Sequence, residues 1–489
     1  MLTLKNYING KWVDAVSGKT SEFINPGTQE VLGTAAYGND DDAKLAIESA
    51  KDSFYKTRQW RDMDAMMRSD TLLKIADELE ARAEEFAKWD CLNGGKILSE
   101  ATTDVDDAVH CFRYYAGLIR TPDGDIYNVN NGCGKMYSFT VHEPVGVCAL
   151  ITPWNYPLLM AAWKLAPALA AGNSVIFKPA SYTPVTSYLL FEIFDKVGLP
   201  AGAANLVMGS GASVGQALSE SHDVDMLSFT GSTVVGQGIA HAAVSNLKKV
   251  GLELGGKSPN VIFPDANIDE AVDWAIAGAF GGAGQVCAAG TRIIVHNDIH
   301  DEFMNKFVAA TKKLTIGLPI TDPDIGAIVS KSQLETVMSY IESGKEEGAV
   351  LRCGGNRYTD NGCENGFFVE PTIFDNCTRD MRIVREEIFG PVASVLTFET
   401  EEEAIEIAND TEYGLAGGVF TRDISRALRV ISEVRAGITW INCYGPTFSE
   451  APWGGYKMSG LGRDLGVHGL EEFQEIKQVN INLDSQPSK

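Results

Sequence analysis

Val147-Cys148-Ala149-Leu150-Ile151, followed after a helical stretch at 158–171 by Ser174-Val175-Ile176-Phe177-Lys178, is the segment whose reading decides the fold. Apolar runs without polar alternation suit strands covered on both faces, and such strands belong to parallel sheets joined by helices. The rhythm continues: 204–208, 226–229 and 250–252 read as strands, with helices at 184–197, 213–221 and 233–244. Repeated βαβ predicts a parallel sheet with helices on both faces, an architecture that binds ligands at the carboxyl ends of its strands.

Upstream, a hairpin-like start at 7–13 turns at Asn9-Gly10 and leads into amphipathic helices at 41–57 and 65–90, expected to pack on that sheet. Downstream, strands at 261–263, 292–296, 394–398, 418–421 and 438–442, with helices such as 301–314 and 401–409, predict a second α/β unit. Residues 251–259 would link the two and carry Glu253. Two pieces, 135–141 and 478–483, alternate polar and apolar residues and read as half-buried strands whose edges need a partner. A local hairpin supplies one; addition to a second copy of the chain supplies another.

At 489 residues the chain exceeds one ordinary core. Its 65 acidic against 41 basic residues, a formal charge of -24, argue against nucleic acid as a partner. No stretch approaches the roughly 18 apolar residues of a spanning helix, and Met1-Leu2-Thr3-Leu4-Lys5 does not read as a leader, so no membrane and a cytoplasmic location are expected. The nine cysteines (Cys91, Cys111, Cys133, Cys148, Cys287, Cys353, Cys363, Cys377, Cys443) show no C-x-x-C spacing, so neither a metal site nor a disulfide framework is indicated.

One cysteine stands apart. Cys287 lies in Gly284-Gln285-Val286-Cys287-Ala288-Ala289-Gly290, where small residues let a carbonyl approach its sulfur. Glu253 ends a strand-like run before two glycines, a place from which a carboxylate can activate water. Together they allow acyl chemistry: the thiol forms a covalent adduct and the carboxylate's water cleaves it. Asn155, past a strand end in Pro153-Trp154-Asn155-Tyr156-Pro157, offers an amide donor for the oxyanion, beside the Cys287 backbone N–H. Gly209-Ser210-Gly211 and Gly231-Ser232-Thr233 each follow a strand and open a helix, and Lys178 adds a cation at the same sheet edge, which favours a nucleotide there.

These motifs, with Phe229-Thr230-Gly231-Ser232, Glu253-Leu254-Gly255-Gly256-Lys257 and Glu386-Glu387-Ile388-Phe389-Gly390-Pro391 in order, closely resemble the aldehyde dehydrogenase superfamily over essentially the whole length. The resemblance implies an α/β fold with a Rossmann-like cofactor domain (1–121 and 143–252), an α/β catalytic domain (253–455) and a small β oligomerisation unit (122–142 and 470–489). It implies NAD(P)-dependent oxidation of an aldehyde: Cys287 as nucleophile, Glu253 activating the deacylating water, Asn155 and the Cys287 amide as oxyanion hole. Lys178 and Glu387 would hold ribose hydroxyls, Ser232 and Trp154 the pyrophosphate region and Phe389 the nicotinamide side, with Ile151, Ser181, Gly211 and Gly231 also at the cofactor. A homodimer or homotetramer is implied as well. Ser181 stands where NAD-preferring relatives commonly carry a glutamate, so NADP is expected to be accepted, even preferred.

Within the superfamily the chain is most similar to the betaine aldehyde and aminoaldehyde branch. Tyr156, Trp163 and Trp453 match an aromatic cage for a cationic nitrogen, and Asp104 and Asp107 match acidic positions at the tunnel mouth. Gly281, six residues before the nucleophile, departs from the tryptophan of plant relatives and predicts a wider pocket. Competing readings are a semialdehyde with a carboxylate tail, which Glu450 would repel but Arg292 or Arg113 would favour, a broad-specificity aldehyde dehydrogenase, a coenzyme A-acylating enzyme, a cysteine peptidase, and a catalytically silent protein on the same fold.

Overall fold

A computed structural model describes residues 1–121, 123–129 and 135–483. Cys133 and the parts of the expected oligomerisation strands at 122, 130–134 and 484–489 lie outside the described residues.

The first sheet has eight strands in the spatial order Gly460–Leu461, Lys249–Glu253, Met226–Thr230, Val147–Ile151, Ser174–Lys178, Ala204–Leu206, Asn6–Ile8 and Lys11–Val13. The five strands from Lys249–Glu253 to Ala204–Leu206 are mutually parallel. Val147–Ile151 and Ser174–Lys178 are buried at every position, as uninterrupted apolar strands between helix layers must be. The strand order reverses between Val147–Ile151 and Met226–Thr230, so the crevice expected at a topological switch point opens beside Ile151 and Thr230. Asn9 and Gly10 both take positive φ, 53° and 71°, and close the predicted two-residue hairpin at the far edge.

The second sheet runs Val350–Cys353, Thr372–Asp375, Val392–Phe398, Arg292–His296, Pro259–Ile262, Ala416–Phe420 and Ile438–Ile441, parallel except for its first pair. The link from the first sheet is shorter than 251–259: Glu253 is the last residue of a strand, and Pro259 already begins the next.

The two outlying segments find each other. Gln474–Asn482 pairs antiparallel with Met136–Pro144 along its full length, from Gln474 opposite Pro144 to Asn482 opposite Met136, and Ile126–Tyr127 flanks the other side. Among the described residues the outer edge of Gln474–Asn482 has no strand partner, and Ile476 and Ile481 are exposed on it.

Some elements differ from expectation. The 65–90 helix is two, Ala65–Ala81 and Ala83–Gly94, because Arg82 leaves helical geometry (φ -108°, ψ 17°) and its guanidinium bridges Glu85 and Glu192. The stretch at 213–221 opens with a π-helical turn, Gly211–Gly215, before Gln216–Glu220. An N-terminal three-stranded sheet of Leu2–Leu4, Val31–Ala36 and Thr20–Ile24 carries no strong signal in the sequence.

Candidate active site

Between the carboxyl ends of the first sheet's strands and the second sheet lies a cavity of about 740 Å³. Cys287, Glu253 and Asn155 all line it. Cys287 follows a 3-10 turn, Gly281–Gly284, in which Gly282, Ala283 and Gly284 all adopt left-handed φ, so the chain doubles back and sets a partly buried thiol at the cavity wall. The glycines after Glu253 bring the two sheets' loops together. A Cβ on Gly256 would stand 2.5 Å from the Cys287 carbonyl oxygen, and one on Gly255 would stand 2.2 Å from the Glu387 carboxylate.

Asn155 Nδ2 donates to the Gln285 carbonyl at 2.8 Å, which fixes the amide beside the nucleophile's turn and leaves its second N–H free. Burial, with the carboxylates of Glu387 and Glu253, pushes the Cys287 thiol up to about 12; the backbone N–H groups of Ala288 and Cys287 pull the other way. Burial also raises Glu253 well above the usual carboxylate range, reinforced by Asp464 and opposed by Lys164 and Arg463. Both Glu253 oxygens are buried without a hydrogen-bond partner. Burial thus favours the protonated form of both groups, and each must lose its proton before it can act.

Beneath Glu253, Lys164 Nζ donates to Asp464 at 2.9 Å and to Ser228 Oγ at 2.9 Å, a fully buried ion pair. No local pattern in the sequence marks this pair, because its partners stand 300 residues apart.

The cofactor candidates fall into two neighbouring groups. Trp154, Gly231, Ser232, Glu387 and Phe389 line the cavity. Trp154 and Phe389 meet edge-to-face at 5.1 Å, and Gln333 Nε2 holds the strained Phe389 turn (φ 57°) by donating to its carbonyl at 2.9 Å. Ser232 precedes the helix Thr233–Ala243 without capping it through its side chain, so its hydroxyl stands free at a helix N-terminus. Ile151, Lys178, Ser181 and Gly211 do not line the cavity but share the adjoining sheet edge: Ile151 is in register with Lys178, and Ser181 Oγ donates to the Gly209 carbonyl at 3.0 Å.

A dinucleotide fits these residues. Lys178 is buried, among the described residues its ammonium donates only to the Pro179 carbonyl, and burial lowers its pKa to about 8. Glu387 is raised to about 7 by burial and accepts from the Gly256 N–H at 3.2 Å, which leaves lone pairs for hydroxyl groups.

On the substrate side, Tyr156, Trp163, Trp453, Asp104 and Asp107 line the cavity with Gly281. Trp163 and Trp453 stand 5.4 Å apart, and Trp440, which the sequence reading did not single out, lies 6.5 Å from Trp453. Tyr444, also unforeseen, donates to the Ala288 carbonyl at 2.8 Å and braces the nucleophile's segment. Space expected at Gly281 is bounded by Glu100, whose carboxylate accepts the Gly282 N–H at 2.8 Å.

Glu450 departs from its expected place: it is exposed in a turn and does not line the cavity, because the chain from Phe448 swings outward before Trp453 returns. Neither candidate arginine reaches the cavity. Arg292 is buried and donates to the carbonyls of Lys257, Ile407 and Ala408, and Arg113 pairs with Glu80 and Asp77.

Known proteins are similar to this chain in sequence and in fold. The aldehyde dehydrogenase family model matches residues 12–479. The betaine aldehyde dehydrogenase of Bacillus subtilis (strain 168) is 46% identical over 477 residues, covering 97% of each chain. Aldehyde dehydrogenase 1A1 of Gallus gallus is 44% identical over 483 residues, 98% of this chain and 93% of its own. A crystal structure of the betaine aldehyde dehydrogenase of Staphylococcus aureus in complex with NAD+ superposes with a TM-score of 0.97 at 43% identity, covering 99% of this chain and 96% of that one. The chain belongs to the aldehyde dehydrogenase family.

Proposed function

We propose that this NAD(P)-dependent aldehyde dehydrogenase oxidises a cationic aldehyde, betaine aldehyde or an aminoaldehyde, to its carboxylate. The observation that carries the reading is the cavity's lining: the carboxyls of Glu100 and Asp107, neither of them in an ion pair, stand beside Tyr156, Trp163, Trp440 and Trp453, with no lysine, arginine or histidine among the lining residues. Aromatic faces attract a quaternary or primary ammonium by about 0.5–2 kcal/mol each. A semialdehyde with an anionic tail would find no cationic side chain among the lining residues. The naming of the Bacillus subtilis and Staphylococcus aureus relatives agrees with the cationic reading.

In the proposed sequence, the Cys287 thiol gives up its proton to water in the cavity, its Sγ adds to the aldehyde carbon and the carbonyl electrons move to oxygen, held by the free Asn155 N–H and the Cys287 backbone N–H. Bound NAD(P)+ supplies the hydride acceptor that turns the adduct into a thioester. Glu253, ionised, then takes a proton from water, the hydroxide oxygen adds to the thioester carbon, and the C–S bond breaks; the carboxylic acid formed passes its proton to the leaving thiolate, giving carboxylate and the Cys287 thiol, and Glu253 returns its proton to solvent. A coenzyme A-acylating enzyme needs no such base, and a peptidase would need a histidine beside Cys287, where the lining has none.

With no carboxylate at Ser181 to repel a 2'-phosphate, NADP serves beside NAD. The open edge of Gln474–Asn482 pairs with a second copy, which makes the enzyme a homodimer or homotetramer. No helix among the described residues is long and apolar enough to cross a membrane, and the eight described cysteines are unpaired, which suits a reducing cytoplasm. Initial rates on betaine aldehyde, 4-aminobutyraldehyde and succinic semialdehyde test the substrate class: the first two are expected to give the higher kcat/KM, and a clear lead for succinic semialdehyde overturns it.

A further inference from the structure

The floor of the tunnel contains a cation of the protein's own. Lys96 Nζ lies 3.5 Å from the centroid of the Tyr156 ring and forms an ion pair with Asp104. Both partners are almost fully buried, with side chains 6% and 8% exposed. Asp104 and Tyr156 line the cavity, whereas Lys96 stands behind them. The ring and the carboxylate nominated to attract a substrate cation are thus already engaged by an ammonium. Glu100 and Asp107, the other acids of this wall, make no ion pair with it. Asp90 is buried with both oxygens unpartnered, and burial raises its carboxyl to about 7.

We propose that Lys96 is a specificity-determining residue: an internal cation, seated on Tyr156 and neutralised by Asp104, that sets how strongly the tunnel discriminates between charged and uncharged aldehydes. It acts through the two residues it touches, so it is a positioning residue rather than a catalytic one. The inference rests on the cationic-substrate reading above, and it gives Asp104 a different task. If Asp104 contacted the substrate directly, its loss would simply remove attraction. In the arrangement described here its loss uncovers Lys96, and the uncovered ammonium repels the incoming one. Two cations on opposite faces of one ring stand about 8 Å apart, and at an effective dielectric of about 20 that repulsion amounts to roughly thirtyfold in affinity.

The experiment compares betaine aldehyde with its uncharged isostere 3,3-dimethylbutanal, reading the ratio of their kcat/KM values. Asp104→Asn is expected to lower the ratio about thirtyfold, chiefly through the KM for betaine aldehyde. Lys96→Met, which keeps the apolar stem, leaves the ratio at or above the parent's. The double variant Lys96→Met/Asp104→Asn, which buries no unpaired charge and so remains foldable even if Asp104→Asn does not, restores the ratio to within about threefold of the parent. A double variant still at least tenfold below the parent overturns the proposal and returns Asp104 to direct contact, as does a Lys96→Met enzyme with a lowered ratio. The parent's own ratio tests the cationic reading separately, because the changes among variants are read relative to it.

Discussion

Replacing Glu253 by Gln separates the two halves of the reaction. The carboxyl is buried, both of its oxygens lack partners among the described residues, and burial holds it above the usual carboxylate range, so the neutral amide replaces a group whose protonated form burial favours. Addition of Cys287 and hydride loss do not require the carboxylate, whereas hydrolysis of the thioester does. General-base assistance contributes about 10²–10⁴-fold, equivalent to about 3–5 kcal/mol in the barrier. Stopped-flow absorbance at the reduced-nicotinamide band should show a burst of about one equivalent per subunit in Glu253→Gln, followed by a steady rate lowered by that factor. The sign of the pH dependence follows from the raised pKa. The working base is ionised Glu253, so deacylation in the parent climbs as pH rises through a value above the ordinary carboxylate range, and the variant lacks this limb. A variant whose steady-state rate stays within a factor of ten of the parent, with the same pH limb, would falsify the assignment of Glu253 as the base.

The cofactor side yields two further tests. Ser181→Glu places a carboxylate beside the Gly209 turn, and kcat/KM for NADP should fall by at least tenfold while that for NAD changes little; equal losses for both would refute the role of Ser181. Lys178, lowered to about 8 by burial, loses its charge as pH rises through that value, so the Kd for NAD should increase between about pH 7 and 9. Fluorescence titration of Lys178→Met should find weaker binding that no longer varies with pH, and an unchanged pH dependence contradicts the assignment.

How far the sequence could be read depended on what each residue is buried against. Ser174–Lys178 and Arg292–His296 have the bounds their apolar runs predict, because both are interior strands of parallel sheets and are covered on both faces. Thr372–Asp375 and Val350–Cys353 went unread: each is four residues long, and the second sits at the sheet edge with its side chains mostly exposed. The break at Arg82 has no glycine or proline to announce it; two carboxylates, one of them on another helix, hold the arginine out of the helix.

At the site, Cys287, Glu253 and Asn155 were legible because each sits in a strand end or a turn whose local composition makes room for chemistry. Lys96, Lys164, Asp464, Trp440 and Tyr444 were not. Their significance arises from contacts with residues distant in the chain, such as Lys164 with Asp464 and Tyr444 with Ala288, and no local pattern records those. Glu450 was misplaced for the converse reason: proximity to Trp453 in sequence does not fix the direction in which a turn points.

The proposal for this covalent aldehyde-oxidising site is a preference for a positively charged substrate. It is tested most directly by the unmodified enzyme's kcat/KM for betaine aldehyde against that for 3,3-dimethylbutanal, which has the same shape and no charge. Aromatic faces at Trp163, Trp440 and Trp453 together with the unpaired acids of the wall predict a preference for the cation of at least about tenfold, or about 1.4 kcal/mol. Equal values, or a preference for the uncharged aldehyde, would contradict the account.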